Sequence, residues 1–198
     1  PRENHIKEYQ LKAWYEGMMK LPEHDKNKRG GNSSEVARDF FIFLLFTGLR
    51  REEALALKWE DIDFQDKSFT TEDTKNHERH KMPLTWVLLD VLDRLKNDNG
   101  NPYVFQGEKP NSHLTAPKKQ IEKAREIVGF HFTNHDIRRT FTTTANRLNF
   151  GQYVLHRLVN HKNSIDSRDV TKRYVILDVE DLREPMNQIT DALWSHMK

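Results

Sequence analysis

Thr47-Gly-Leu-Arg-Arg-Glu-Glu-Ala-Leu-Ala-Leu-Lys-Trp-Glu-Asp-Ile-Asp63 is the stretch in which the chain passes from helical spacing to strand spacing. Just upstream, Val36, Ala37, Phe40, Phe41, Leu44 and Leu45 recur on an apolar stripe wide enough for a central helix, and Gly48 marks its end. Ser33 or Ser34 is expected to cap that helix. Inside the quoted stretch a short helix is predicted from Arg51 to Leu57, ending near Trp59. From Asp61 onward the period shortens to two. Ile62-Asp-Phe64, Ser68-Phe-Thr-Thr71 and Lys81-Met-Pro-Leu84 predict short strands around polar turns, with Pro83 ending the last of them.

Working outward, Ile6, Leu11, Trp14, Tyr15 and Met18 recur at helical spacing before the polar stretch from Glu23 to Ser34, where Gly30 and Gly31 break the pattern. Downstream, helices are predicted over Thr85–Lys96, Thr115–Val128, His135–Leu148 and Gln152–Val159, with glycines and prolines between the first two. Asp166 to Tyr174 reads as a polar short helix or loop. Asp178 to Met197 is a last amphipathic segment striped by Val179, Leu182, Met186, Ile189 and Leu193. The fold class is therefore mainly α with one small antiparallel β-sheet. At 198 residues, 36% of them hydrophobic, the chain fits a single domain: a lead-in helix and loop over 1–34, a core over 35–176 and a C-terminal helix over 177–198.

Composition removes several chemistries. There is no cysteine, so disulfides, thiolate metal sites and cysteine nucleophiles are excluded together. The longest apolar run, Phe40 to Phe46, falls far short of the ~20 residues that cross a bilayer. The opening PRENHIKEYQ has no apolar signal-peptide core, and a cytoplasmic location is expected. The net charge of +2 hides a strong asymmetry: residues 109–176 carry 13 Lys+Arg against 5 Asp+Glu, a balance of +8, while both flanks are acidic. A basic region inside a nearly neutral chain is the footprint that polyanion binding leaves, although a solvated face gives the same count.

Four strings carry candidate chemistry: the opening stretch with Arg50 and Glu53, then Thr74-Lys75, then His135-Asp-Ile-Arg138-Arg-Thr140, then Leu158-Val-Asn-His161 followed by Thr171-Lys-Arg-Tyr174. Each has an ordinary structural reading on its own. Arg50 suits a helix C-terminus, where cations are favoured. His135 and Arg138, three apart on a helix, face the same way, as many surface pairs do. His77 and His80 form an H-x-x-H pair, but no carboxylate or further histidine lies at a supporting spacing, so no metal site is read.

Taken together, the four strings resemble the catalytic domain of the tyrosine recombinases, the phage-integrase family, from about Val36 to Tyr174. The resemblance implies that Arg50 and Arg138 hold the scissile phosphate, that Lys75 is the hairpin lysine, that His135 and His161 flank the phosphate and that Tyr174 is the nucleophile. Glu53 matches the family's acidic supporting position. Arg51, Arg139, Lys172 and Arg173 are spare basic residues, expected either to contact phosphates or to be solvated. One departure stands out: Asn160 precedes His161 where the family has glycine.

The chemistry implied is coherent. Attack on a phosphodiester passes through a doubly anionic pentacoordinate phosphorus, whose oxygens two planar guanidiniums can hold bidentately. Phenoxide is a workable nucleophile, and a lysine can protonate the leaving 5′ oxygen. No cofactor is implied. The partners implied are double-stranded DNA attachment sites and a tetramer of this chain on DNA, with a monomer expected in its absence and no membrane. A separate N-terminal DNA-clamping domain is not found before Val36, so the chain is expected to be the catalytic part of a longer prophage or genomic-island integrase. Two alternatives stay open at this level: a type IB topoisomerase, which relaxes supercoils by the same chemistry, and a non-catalytic DNA-binding module of the same fold.

Overall fold

The computed structural model describes residues 4–23, 33–72, 79–96, 99–115, 118–159 and 178–198. In chain order the helices are α1 (Glu8–Lys20), α2 (Ser33–Thr47), α3 (Arg51–Leu55), α4 (Trp86–Leu95), α5 (Lys118–Val128), α6 (Asn134–Arg147), α7 (Gln152–Leu158) and α8 (Val179–Ser195). The strands are β1 (Ile62–Asp63), β2 (Ser68–Glu72) and β3 (Arg79–Pro83), reached from α3 through a 3-10 turn at Trp59–Asp61.

Helix α2 is the axis of the core. Twelve of its fifteen residues are buried, so the helix is surrounded rather than laid on a surface. It packs on α6, α4, α1, α3 and α8. Phe40 and Phe43 meet Phe105 edge to face at 5.3 Å each, which draws the connection after α4 onto the same core. The one buried acidic residue of this helix, Asp39, is 1% exposed and is held by Arg94 from α4 (Nη2–Oδ1 2.7 Å) and by Arg38 (Nη2–Oδ2 2.7 Å). At the other side of the core α1 approaches α5 closely: a Cβ on Gly17 would lie 2.3 Å from Val128.

The sheet has the order β1-β2-β3, antiparallel throughout, with Phe69 opposite Met82 and Thr71 opposite His80. Its β1–β2 turn is fastened by Asp66, whose carboxylate takes Lys81 from β3 (2.7 Å) and Arg183 from α8 (3.0 Å). These cations, with Ser68, hold the Asp66 carboxyl well below the usual carboxylate range, at about 2. Arg183 also donates to the carbonyl of Lys67, a residue with φ of 48°.

The C-terminal helix packs on its own chain. Asp178 caps it, accepting from the amides of Glu180 (2.8 Å) and Asp181 (3.3 Å), and Leu182, Met186, Ile189 and Leu193 are buried against β3, α6, α7 and α2. At its far end Trp194 meets Tyr15 of α1 (5.1 Å, 78°) and the half-exposed Trp86 of α4 (4.9 Å, 87°), a chain of three edge-on aromatic rings.

The expected elements are found, with shifted boundaries. Ser33 and Ser34 lie inside the first turn of α2 rather than ahead of it, and Ser34 is buried, so neither caps from outside. Helix α6 starts at Asn134 because Thr133 takes the cap: its hydroxyl accepts from the Asp136 amide (3.1 Å) while the Asp136 carboxylate accepts from the Thr133 amide (2.9 Å). Strand β3 begins at Arg79, two residues earlier than its apolar pattern indicates, because backbone pairing continues through the polar residues. The Asp166 to Tyr174 segment lies outside the described residues.

Candidate active site

The site is assembled where α2 stops. Gly48 ends that helix with φ of 63°, its amide still bonded to the carbonyl of Leu44 (2.9 Å). No other residue fits there, since a Cβ would stand 2.3 Å from the Phe141 ring of α6. The tight exit leaves the Gly48 carbonyl facing α6, and Arg138 donates to it through Nη1. Through Nη2, Arg138 donates to the carbonyl of Val159, just past α7 (2.7 Å). A guanidinium 8% exposed is thus held by two backbone oxygens from opposite sides.

Two residues after Gly48, Arg50 precedes α3. The sequence offered it as a cation at a helix C-terminus; the structure places it at a helix N-terminus, where the dipole is unfavourable to it. Glu53 resolves the conflict. Its carboxylate, nearly fully buried, accepts the Arg50 amide at one oxygen (2.8 Å) and the Arg50 guanidinium at the other (2.7 Å). The remaining guanidinium edge of Arg50 is open: its side chain is 48% exposed.

The two guanidiniums share one electrostatic environment. Burial, and after it the charge of Arg50, push the Arg138 pKa down to about 10, against the pull of Glu53. With one carboxylate among the described residues for two arginines the pair keeps an excess positive charge, and an anion seated against the exposed edge of Arg50 would relieve it. His135, at the start of α6, is exposed, whereas Arg138 one turn on is buried; the shared face therefore runs from rim to interior.

Behind the pair lies His80 of β3, 1% exposed. Burial first, then the charge of Arg157 of α7, and more weakly that of Arg138, lower its pKa to about 4, opposed by the nearby main chain of Leu158. It is therefore a neutral imidazole at neutral pH, which disfavours a role as a charged group; His77, its partner in the H-x-x-H spacing, lies outside the described residues.

Of the remaining candidates, Arg51 is exposed and paired with the adjacent Glu52, and Arg139 is half-buried on α6. Lys81 of β3, a further lysine near the hairpin, is engaged by Asp66. Lys75, His161, Lys172, Arg173 and Tyr174 lie outside the described residues. Sequence reasoning missed the Gly48 and Val159 carbonyls, because a main-chain ligand has no residue-type signature. A cavity of about 750 Å³ lies beside the start of α5, lined by Lys109, His113, Lys118 and Lys119 among others; none of the described site residues lines it.

Residues 15–180 match the Phage integrase family. The chain belongs to that family. Among family relatives, the prophage integrase IntF of Escherichia coli K12 is 28% identical over 165 residues, covering 80% of this chain and 33% of IntF. Among solved structures, the XerH site-specific recombinase bound to difH substrate, a pre-cleavage complex, aligns over 80% of this chain and 47% of its own (TM-score 0.63, 20% identity). The integrase from mycobacterium phage Brujita aligns over all of this chain and 63% of its own (TM-score 0.68, 16% identity). These two structures share the fold. The chain spans between a third and about three fifths of the length of the first curated relatives it matches. No helix among the described residues is long and apolar enough to cross a membrane.

Proposed function

We propose that this chain is the catalytic part of a site-specific DNA recombinase of the integrase type, cutting and rejoining strands through a 3′-phosphotyrosine intermediate. The observation that supports it most is the arginine pair: Arg138 is locked by two carbonyls, Arg50 is aimed by Glu53 and keeps one guanidinium edge open, and the pair as a whole carries an excess positive charge. Preorganised forks of this kind stabilise the charge that develops on a phosphate under attack, without reorganising during the step.

In this reading the phenol oxygen of Tyr174 attacks the scissile phosphorus and passes its proton to one of the flanking histidines, His135 or His161. The phosphorus–oxygen bond to the 5′ oxygen breaks, and that oxygen leaves as a hydroxyl protonated by Lys75. The 3′-phosphotyrosine retains the bond energy, so a 5′-hydroxyl from another strand reverses the step and seals the exchange. His135 and His161 hydrogen-bond the phosphate oxygens. Because each protomer cuts one strand and two duplexes have four, exchange implies a tetramer on DNA. The basic excess of residues 109–176, with Arg51, Arg139, Lys172 and Arg173, supplies backbone contacts. XerH's complex with its difH substrate is consistent with double-stranded DNA as partner.

The test is covalent trapping. The chain is incubated with labelled duplexes randomised around a nick, placed so that the short released strand diffuses away. Label that survives detergent and disappears with protease is expected from the parent and absent from Tyr174→Phe. Adduct formed equally by that variant moves the nucleophile, with Tyr153 the first alternative. DNA retention with no adduct from the parent favours a non-catalytic binding module, and relaxation of supercoiled plasmid without paired sites favours a topoisomerase.

A further inference from the structure

Six buried side-chain polar atoms among the described residues lack a hydrogen-bond partner, and four of them gather in one place: Thr71 Oγ1, His80 Nδ1 and Nε2, and Arg157 Nε. Thr71 and His80 are directly opposite on β2 and β3, so their side chains rise from the same face of the sheet. Thr71 is 4% and His80 1% exposed. Arg157, on α7, is close enough for its charge to act on the imidazole, and the main chain of Leu158 reaches the ring without meeting hydrogen-bond geometry at either nitrogen.

Such groups are matched in kind. Thr71 and the neutral imidazole can each donate and accept, and Arg157 Nε–H donates. Leaving them unpaired in a water-poor interior is unfavourable, and an apolar residue at β3 would avoid it. Their location supplies a reason. Arg157 is two residues before Val159, whose carbonyl holds Arg138, so any movement of the α7 end toward the sheet moves the clamp on the buried arginine.

We propose that Thr71, His80 and Arg157 are positioning residues whose polar atoms pair with one another only when a DNA phosphate is seated on Arg50 and Arg138, tying Arg157 to the β2–β3 ladder and so holding the Val159 carbonyl, already bonded to Arg138, in place while the phosphate is bound. This rests on the reading of the arginine pair as the scissile-phosphate site. The unpaired state belongs to the free domain, and phosphate binding, by neutralising the cationic surroundings of the imidazole, favours the closed one.

The experiment compares the parent with His80→Leu, Thr71→Val, their combination and His80→Asn. Melting temperature without DNA, affinity for the nicked duplex pool and single-turnover adduct formation at saturating DNA are read for each. The double variant is expected to melt at or above the parent temperature, to bind DNA with little change and to form adduct about tenfold or more slowly, since misplacement near a reacting phosphate acts on the rate. His80→Asn, which keeps a donor and an acceptor, is expected to recover part of that rate. An unchanged rate in the double variant overturns the proposal. A melting temperature that falls in step with the rate overturns it too, because the groups would then already be paired in the free domain.

A second readout does not depend on cleavage. In Tyr174→Phe, the ring nitrogens of His80 are followed by NMR with and without the nicked duplex pool, and a shift toward hydrogen-bonded values is expected. An unmoved ring overturns the proposal. If the parent makes no adduct while the ring still responds to DNA, the catalytic reading fails and the positioning cluster stands as a feature of DNA binding.

Discussion

Arg50 and Arg138 lie near enough to perturb each other, yet they are held by opposite means. Arg50 stands at the surface on a carboxylate, and Arg138 is buried on two peptide carbonyls. A carboxylate partner neutralises the arginine it holds, whereas carbonyls fix the geometry of a guanidinium and leave its full charge available. Arg138 is therefore the stronger source of field, and Arg50 the more adjustable contact. In the proposed reading, one task, gripping an anion, is divided into a rigid half and a compliant half.

The division predicts different costs for the same substitution. Arg138→Ala is expected to slow adduct formation by more than two orders of magnitude, the scale of ~3 to 4 kcal/mol for losing a preorganised donor. It is also expected to lower the melting temperature by several degrees, because two interior carbonyls lose their donor at ~1 to 3 kcal/mol each. Arg50→Ala should slow the reaction comparably and lower the melting temperature less, since Glu53 still accepts the amide of residue 50 although its buried carboxylate loses its cation. Equal losses of stability in calorimetry would break the comparison.

Glu53→Gln sharpens it from the other side. The amide oxygen can still cap α3, but the negative charge that aims Arg50 is gone, and about a tenfold loss of rate at near-normal stability is expected in single-turnover assays. Glu53→Ala should add the loss of the cap, ~1 kcal/mol.

A third prediction concerns the buried side alone. Folding lowers the His80 pKa to about 4 from an ordinary value of 6.5, so between those values the unfolded chain binds a proton that the folded one refuses. The stability associated with neutral His80 is full above about pH 6.5 and is lost as pH falls toward 4, reaching at most ~3 kcal/mol. Urea titrations across that window should show a slope in the parent that His80→Leu removes. Persistence of the slope in that variant would assign it to another group.

The smallest effect is predicted for a carboxylate–arginine contact outside the site. Asp66→Asn removes the charge facing Arg183 and Lys81, but these groups are partly exposed and screened. The melting temperature is expected to move barely and the adduct rate not at all. The contribution of Asp66 is present above its unfolded pKa and disappears as pH falls toward about 2.

Much of this arrangement is legible before any coordinates. The spacing of Phe40, Phe41, Leu44 and Leu45 announces a buried α2, and the period change after Asp61 announces the sheet, because apolar periodicity records which faces meet a core. Arg50, Glu53, His135 and Arg138 are legible as residue types in motif strings. The means of holding them is not. Peptide carbonyls are common to every residue, so the ligation of Arg138 by Gly48 and Val159 leaves no mark beyond a glycine that also reads as a helix stop. His80 is visible as a histidine, but its desolvation depends on β2 and α7 arriving from either side, which local spacing does not encode. Thr133 could have been found as a cap, since Asp136 stands three residues on. The assignments at Lys75, His161 and Tyr174 rest on resemblance.

The aromatic chain from Tyr15 through Trp194 to Trp86 has an optical consequence. Two indoles 4.9 Å apart and nearly perpendicular, one carried by the C-terminal helix and the other by the core, form a coupled pair of chromophores. Their far-ultraviolet circular dichroism couplet, and the quenching each exerts on the other's emission, persist only while α8 lies on its own protomer. If α8 were handed to a neighbour during assembly on DNA, the couplet would fade and the emission would change with no label attached, and the timing of that change could be set against the timing of strand cleavage in a stopped-flow record.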